Sequence, residues 1–223
     1  KNGMVKGFTL IWPAGDEARR SRLVQEMRAS FRPVDGVLDP AVARPDEDQA
    51  IDLVSGLAVR QPTLSRSGFY IDDRGDVLTT TEAVASCERI TIDTVNDATV
   101  VFSDPALGIA VLRPATAMAP MGVAQFQTAV PRIQSDVAAG GYPYGGVLSL
   151  PSLTFGTLAD IRGLNGEETL KRVALVAQPG DAGGPVYDGS GAVLGMLLPR
   201  APLNGQMLPA DVSFVVETDA ILA

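Results

Sequence analysis

The sequence predicts an all-β protein, a barrel or sandwich of about a dozen short strands, preceded by a small α/β extension. Three observations carry this. From about residue 50, short runs rich in Val, Ile, Leu and Thr recur between turn residues. Acidic and glycine clusters, Asp72-Asp73-Arg74-Gly75 and Asp188-Gly189-Ser190-Gly191, read as hairpin turns. Within this region only Glu82–Cys87 and Glu217–Leu222 look helical.

The elements follow in chain order. Residues 5–12 read as a short strand ended by Pro13. A helix opens near Asp16 and runs to about Phe31, with Leu23, Met27 and Ser30 on one stripe. Pro33, Pro40 and Pro45 with Asp46-Glu47-Asp48 mark an irregular acidic connection. A boundary near residue 45 then separates an extension, residues 1–45, from a main domain, residues 46–222. Strands are expected over Ile51–Val59, Gly68–Ile71, Val77–Thr80, Ile90–Val95, Ala98–Phe102 and Ile109–Leu112. Further strands are expected over Ile133–Ala139, Thr154–Leu158, Val173–Ala177, Val186–Tyr187, Ala192–Leu198 and Ser213–Val216.

Composition narrows the function classes. The 223 residues carry a net charge of −8, which argues against nucleic acid, since phosphate binding needs clustered Lys and Arg. No run approaches the roughly 18 apolar residues of a membrane-spanning helix. A single cysteine, Cys87, excludes an internal disulfide and reads as a small buried hydrophobe. With no histidine at all, zinc, haem and copper sites of the usual kind are not expected, and no cofactor is. The chain opens at Lys1 without a leader pattern, so its compartment is not legible directly.

Three blocks, in order, carry a family resemblance. The first is Ser67-Gly68-Phe69-Tyr70-Ile71 followed by Gly75-Asp76-Val77-Leu78-Thr79-Thr80. The second is Asp104-Pro105-Ala106-Leu107-Gly108-Ile109-Ala110-Val111-Leu112, and the third is Gly180-Asp181-Ala182-Gly183-Gly184-Pro185. Between and after them lie Gly141-Tyr142-Pro143-Tyr144-Gly145, Thr154–Ala159 and Ser213-Phe214-Val215-Val216. Together these resemble the chymotrypsin/trypsin serine proteases, particularly the bacterial HtrA-like, trypsin-like peptidases, over roughly residues 51–222. The resemblance implies a chymotrypsin-like double antiparallel β-barrel, with barrels over about 46–125 and 126–222.

The same alignment of motifs places Glu82 at the histidine position, Gly108 at the aspartate position and Ala182 at the serine position. That chemistry needs a hydroxyl nucleophile, an imidazole base and a carboxylate that orients it. None of the three positions supplies its group. The resemblance implies an oxyanion hole at the backbone N–H groups of Gly180 and Ala182, with Asp181 structural and Gly183 lending the loop its freedom.

The resulting expectation is a pseudoprotease, not an enzyme, that binds a protein or peptide along the cleft as a scaffold or regulator. The resemblance also implies a periplasmic or secreted location. Two alternatives stand beside it: a serine endopeptidase whose serine has been replaced at position 182, and a structural module whose cleft is closed. Glu82 and Asp181 as a water-activating carboxylate pair is a weaker reading. A Ser-Lys dyad fails, since lysine occurs only at positions 1, 6 and 171.

Overall fold

The computed structural model describes residues 17–30, 49–51, 58–60, 62–93, 95–145, 150–203 and 205–223. The strand expected at 5–12 and the acidic connection from Pro33 to Asp48 lie outside the described residues. The chain divides into two compact units, Lys1–Thr63 and Leu64–Ala223. The first unit holds α1 (Glu17–Ser30) and an antiparallel pair, β1 (Gln49–Ile51) and β2 (Ala58–Arg60). The start of α1 is favoured by Glu17, which pairs with Arg20 one turn on. Charged side chains dominate this helix and none of its residues is buried; Leu23 and Val24 are half-buried, while Met27 and Ser30 are exposed.

In the second unit, every strand expected from Gly68 onward overlaps one observed strand, β3 through β13. Five of them form an antiparallel half-barrel in the order β3-β4-β7-β6-β5. They are β3 (Phe69–Tyr70), β4 (Val77–Thr80), β5 (Ile90–Ile92), β6 (Asn96–Asp104) and β7 (Ile109–Pro114). Strand β4 lies between β3 and β7, and all four of its residues are buried. Six more close into an antiparallel barrel in the order β10-β13-β12-β11-β8-β9. These are β8 (Asp136–Gly141), β9 (Ser152–Asp160), β10 (Leu170–Ala174), β11 (Pro185–Asp188), β12 (Val193–Leu197) and β13 (Val212–Glu217). A short helix, α2 (Thr218–Leu222), ends the chain. Closure removes the free strand edges that an open sheet exposes.

One device turns three of the hairpins. Asp72 Oδ1 accepts from the N–H groups of Arg74 and Asp76, and Asp104 Oδ1 from those of Ala106 and Leu107. Asp188 Oδ1 accepts from the N–H groups of Ser190 and Ala192 and from the Ser190 hydroxyl. A short carboxylate thus satisfies the donors that a tight turn leaves unpaired. The N–H groups of Asp76 and Arg74 hold the Asp72 carboxyl below its ordinary range, the bond from Asp76 contributing most.

The apolar alternation of these strands builds two interiors and a seam. Val137, Leu158, Val173, Val186, Leu194, Leu197 and Val215 fill the closed barrel. Val77, Ile92 and Leu112 pack inside the half-barrel. Between them, Phe69, Leu78 and Ile109 of the half-barrel meet Val193, Met196 and Val216 of the closed barrel. Phe126, on the connecting segment, bridges Val193 and stacks obliquely on Phe69, with ring centroids 6.3 Å apart.

The segment expected to be helical over Glu82–Cys87 is only a 3₁₀ turn, Thr81–Ala83, followed by irregular turns. Ser86 adopts φ +58°, a left-handed conformation that ends any helix there. Cys87 follows directly, and it is exposed rather than buried. It lies at the surface, just past the turn, instead of in the core.

Candidate functional site

Two of the three expected positions, Glu82 and Gly108, lie at the end of β4 and the start of β7. Strand β4 ends at Thr80, paired with Ile109 at the start of β7, and Thr81 N–H donates to the Gly108 carbonyl at 3.0 Å. This bond sets Glu82 beside Gly108. Glu82 Oε1 is engaged by Arg66 Nε in an ion pair, and Arg66 Nη1 also donates to the Ser65 carbonyl at 3.0 Å. The pair ties the turn after β4 to the segment before β3 as a structural link. No hydrogen bond or ion pair among the described residues joins Glu82 to Asp181.

Gly108 has φ +74° and closes the turn from β6 to β7, its N–H donating to the Asp104 carbonyl at 2.9 Å. A side chain there would project onto Leu198. The position therefore meets a leucine methyl group.

Ala182 follows a second 3₁₀ turn, Pro179–Asp181. The turn is closed by Asp181 N–H to the Gln178 carbonyl at 3.0 Å. The Asp181 carboxylate reaches back to accept from Gln178 N–H at 2.8 Å. Asp181 is buried, and this desolvation pushes its carboxyl above the ordinary range, partly offset by the Gln178 bond. Ala182 itself is 3% exposed with φ −56° and ψ 134°.

The glycines are required by close approach. A Cβ on Gly180 would stand 2.3 Å from the Tyr142 carbonyl oxygen, and one on Gly184 would stand 2.0 Å from that of Gly140. Gly183, at φ +88°, could not carry a side chain without meeting the Ser67 carbonyl. Its N–H pairs with the Leu197 carbonyl at 2.8 Å, so the loop is stitched to β12.

Ser67 organises this loop, and the motif reading gave it no role. Its hydroxyl donates to the Gly180 carbonyl at 2.7 Å and accepts from Tyr142 N–H at 2.8 Å. Its own N–H lies 3.1 Å from the Gly180 carbonyl and 3.0 Å from that of Ala182. Its carbonyl accepts from Thr79 Oγ1 at 2.8 Å. Ser67 is 1% exposed, so these bonds are made out of contact with water. The sequence signal was its place at the head of the first matched block. Arg66 had no such signal, because its partner is reached only once the hairpin has formed. Tyr142 is half-buried beside the loop, whereas Tyr144 points to solvent.

A half-barrel and a closed barrel meeting at a glycine loop define the class: the chymotrypsin-like double β-barrel. Residues 66–196 match the family model described as trypsin-like peptidase domain, and the chain belongs to that family. Among solved structures, an inactive form of a serine-to-alanine mutant of Rv3671c from M. tuberculosis H37Rv aligns at 26% identity. That alignment covers 73% of this chain and 80% of the other, with a TM-score of 0.59. A serine endoprotease from Yersinia pestis aligns at 21% identity over 73% of this chain and 58% of its own, TM-score 0.58. The HtrA-type protease AlgW with decapeptide aligns at 21% over 74% and 51%, TM-score 0.60. An uncharacterized protein of Sinorhizobium fredii is 25% identical over 93% of this chain. The chain spans only 36% of the length of that curated relative. No helix among the described residues is long and apolar enough to cross a membrane.

Proposed function

We propose that this chain is a catalytically inert member of the trypsin-like peptidase family that binds an extended protein or peptide segment as a scaffold or regulator. The observation that carries the reading is the joint chemistry of three positions. Glu82 is tied to Arg66, Gly108 faces Leu198, and Ala182 has no nucleophilic atom. With no histidine in the chain, a hydroxyl restored at position 182 would have no imidazole to take its proton. This also counts against the alternative of a working endopeptidase with a replaced serine. Extended peptides pair with exposed strand edges through main-chain bonds, which do not require catalytic groups. A periplasmic or secreted setting is part of the proposal and rests on the HtrA-like resemblance.

Two measurements test it. The Ala182→Ser variant is treated with an active-site-directed fluorophosphonate, and no labelling is expected; covalent labelling of Ser at that position overturns the assignment. A library of extended decapeptides is then screened by amide NMR on the intact chain. Saturable shifts at the Gly180–Gly184 amides are expected for a subset of peptides. A closed structural module would leave those amides unmoved by every peptide.

A further inference from the structure

The half-barrel leaves one long strand edge uncovered. Strand β6 runs for nine residues, and on one side β7 pairs with it from Ala98 to Asp104. On its other side β5 covers only Asn96, Asp97 and Ala98. From Thr99 to Ser103 no strand among the described residues lies on that second side. A strand paired on one side turns the N–H and C=O groups of alternate residues outward, free to pair with another extended chain. The side chains here are apolar and open to solvent: Val100, Val101 and Phe102 are 41%, 44% and 52% exposed. Val100 stands across from the buried Leu112 and Phe102 across from Val111, with a bulge between them, so both faces of the edge carry hydrocarbon. No Lys, Arg or Pro, the residues that blunt strand edges, occurs between Ala98 and Ser103.

Charge selects among the extended chains that could add here. From Glu88 to Asp104 the β5–β6 hairpin carries four carboxylates, Glu88, Asp93, Asp97 and Asp104, against one cation, Arg89, which Asp97 already holds. Arg113, opposite Thr99 on β7, is taken by Asp76. A second copy of the chain is a poor occupant, because two β6 strands side by side would set Asp97 and Asp104 against the same carboxylates. We propose that the free edge of β6 accepts an extended protein segment with alternating apolar residues in its middle and Lys or Arg at its ends, added as a strand beside Thr99–Ser103. Main-chain bonds hold the segment, Val100 and Phe102 meet its apolar side chains, and the flanking carboxylates meet its basic ends. The edge belongs to the half-barrel and the glycine loop to the closed barrel, so the inference stands or falls without the function proposed above.

The test is titration of the intact chain with N-acetyl-Lys-Val-Thr-Val-Thr-Val-Lys-amide, read by amide NMR shifts and hydrogen exchange at Thr99–Ser103. Saturable shifts and slowed exchange are expected there. The same peptide with Glu at both ends should bind about tenfold or more weakly, and added salt should narrow that gap. The Lys-ended peptide N-methylated at every interior residue has lost its main-chain donors and should not bind. Val101→Lys places a like charge in the edge and should weaken the Lys-ended peptide about tenfold or more. Undisturbed Leu78 and Leu112 amides show that this variant is folded; if it is not, the Lys- against Glu-ended comparison on the parent chain decides alone. Shifts confined to Gly180–Gly184 would support the cleft reading and overturn this one. The edge is also overturned by the absence of saturable shifts at Thr99–Ser103, by binding of the N-methylated peptide, or by equal or tighter binding of the Glu-ended peptide. Thr99–Ser103 amides that shift with protein concentration alone would make a second copy the occupant and overturn it too.

Discussion

Leu198 occupies the space into which a side chain at position 108 would project: a Cβ built on Gly108 stands 3.1 Å from Leu198 Cδ2. Together with φ +74° at Gly108, this makes the expected aspartate position hostile to aspartate on two grounds, backbone and packing. Gly108→Asp should cost roughly 1–3 kcal/mol of stability, the range for strained backbone. Gly108→Asp with Leu198→Ser should recover the packing share and leave the backbone share. Urea denaturation of the two variants checks this; an unchanged midpoint for Gly108→Asp would contradict it.

Thr80 is fully buried on β4, and its Oγ1 is the one buried side-chain polar atom without a partner among the described residues. A buried hydroxyl left unpaired costs about 1–3 kcal/mol. Thr80→Val keeps the branched shape and removes the orphan oxygen. We expect the variant to be more stable by about 1 kcal/mol, read as a rise in the thermal midpoint, and a fall would show that Oγ1 has a partner.

Removal of the Ser67 hydroxyl takes one bond from the Gly180 carbonyl and the acceptor from Tyr142 N–H. Ser67→Ala should destabilise by about 1–3 kcal/mol, because Tyr142 N–H then lacks its partner. Hydrogen exchange at Tyr142 should accelerate more than at Leu194, in the interior of the closed barrel. Equal protection at both sites in variant and parent would remove Ser67 from its assigned role.

Asp181 should give the protein an acid-side advantage. Its carboxyl is raised in the folded state by burial, so the folded state holds the proton more tightly than the unfolded chain does. The corresponding stability is present below the unfolded value of about 3.9 and is lost as pH rises through the elevated folded value. Asp181→Asn keeps an oxygen for Gln178 N–H without the charge. Its stability relative to the parent should therefore increase as pH is raised from the acid range to neutrality. A difference that is flat with pH, or that shrinks, would reverse the assignment.

The strands were legible because runs of Val, Ile, Leu and Thr between turn residues leave a direct mark on composition: Val77–Thr80 was expected at its observed bounds and is buried throughout. Asp72 and Asp188 announced their turns for a similar reason, since the residue type itself performs the capping. Local signals failed where the deciding contact is distant. Glu82–Cys87 has helical composition, yet Ser86 turns left-handed and Cys87 finishes on the surface. The glycine loop was readable as a motif, but its dependence on Ser67 was not, because the partners lie 113 residues apart. Arg66–Glu82 and Lys171–Glu217 escaped for the same reason. Charges gain partners only through the register of the folded sheets.

The Ser67 hydroxyl also bears on how the molecule assembles. It joins a residue just before the half-barrel to Gly180 and Tyr142 of the closed-barrel region. Closing so long a span loses chain entropy before the bonds can form, and such contacts slow folding. The glycine loop should thus be among the last segments to settle, once both sheets already exist. Its Gly-Gly-Pro sequence then serves assembly: the loop is the clasp between two sheets, a duty that calls for no chemistry at position 182.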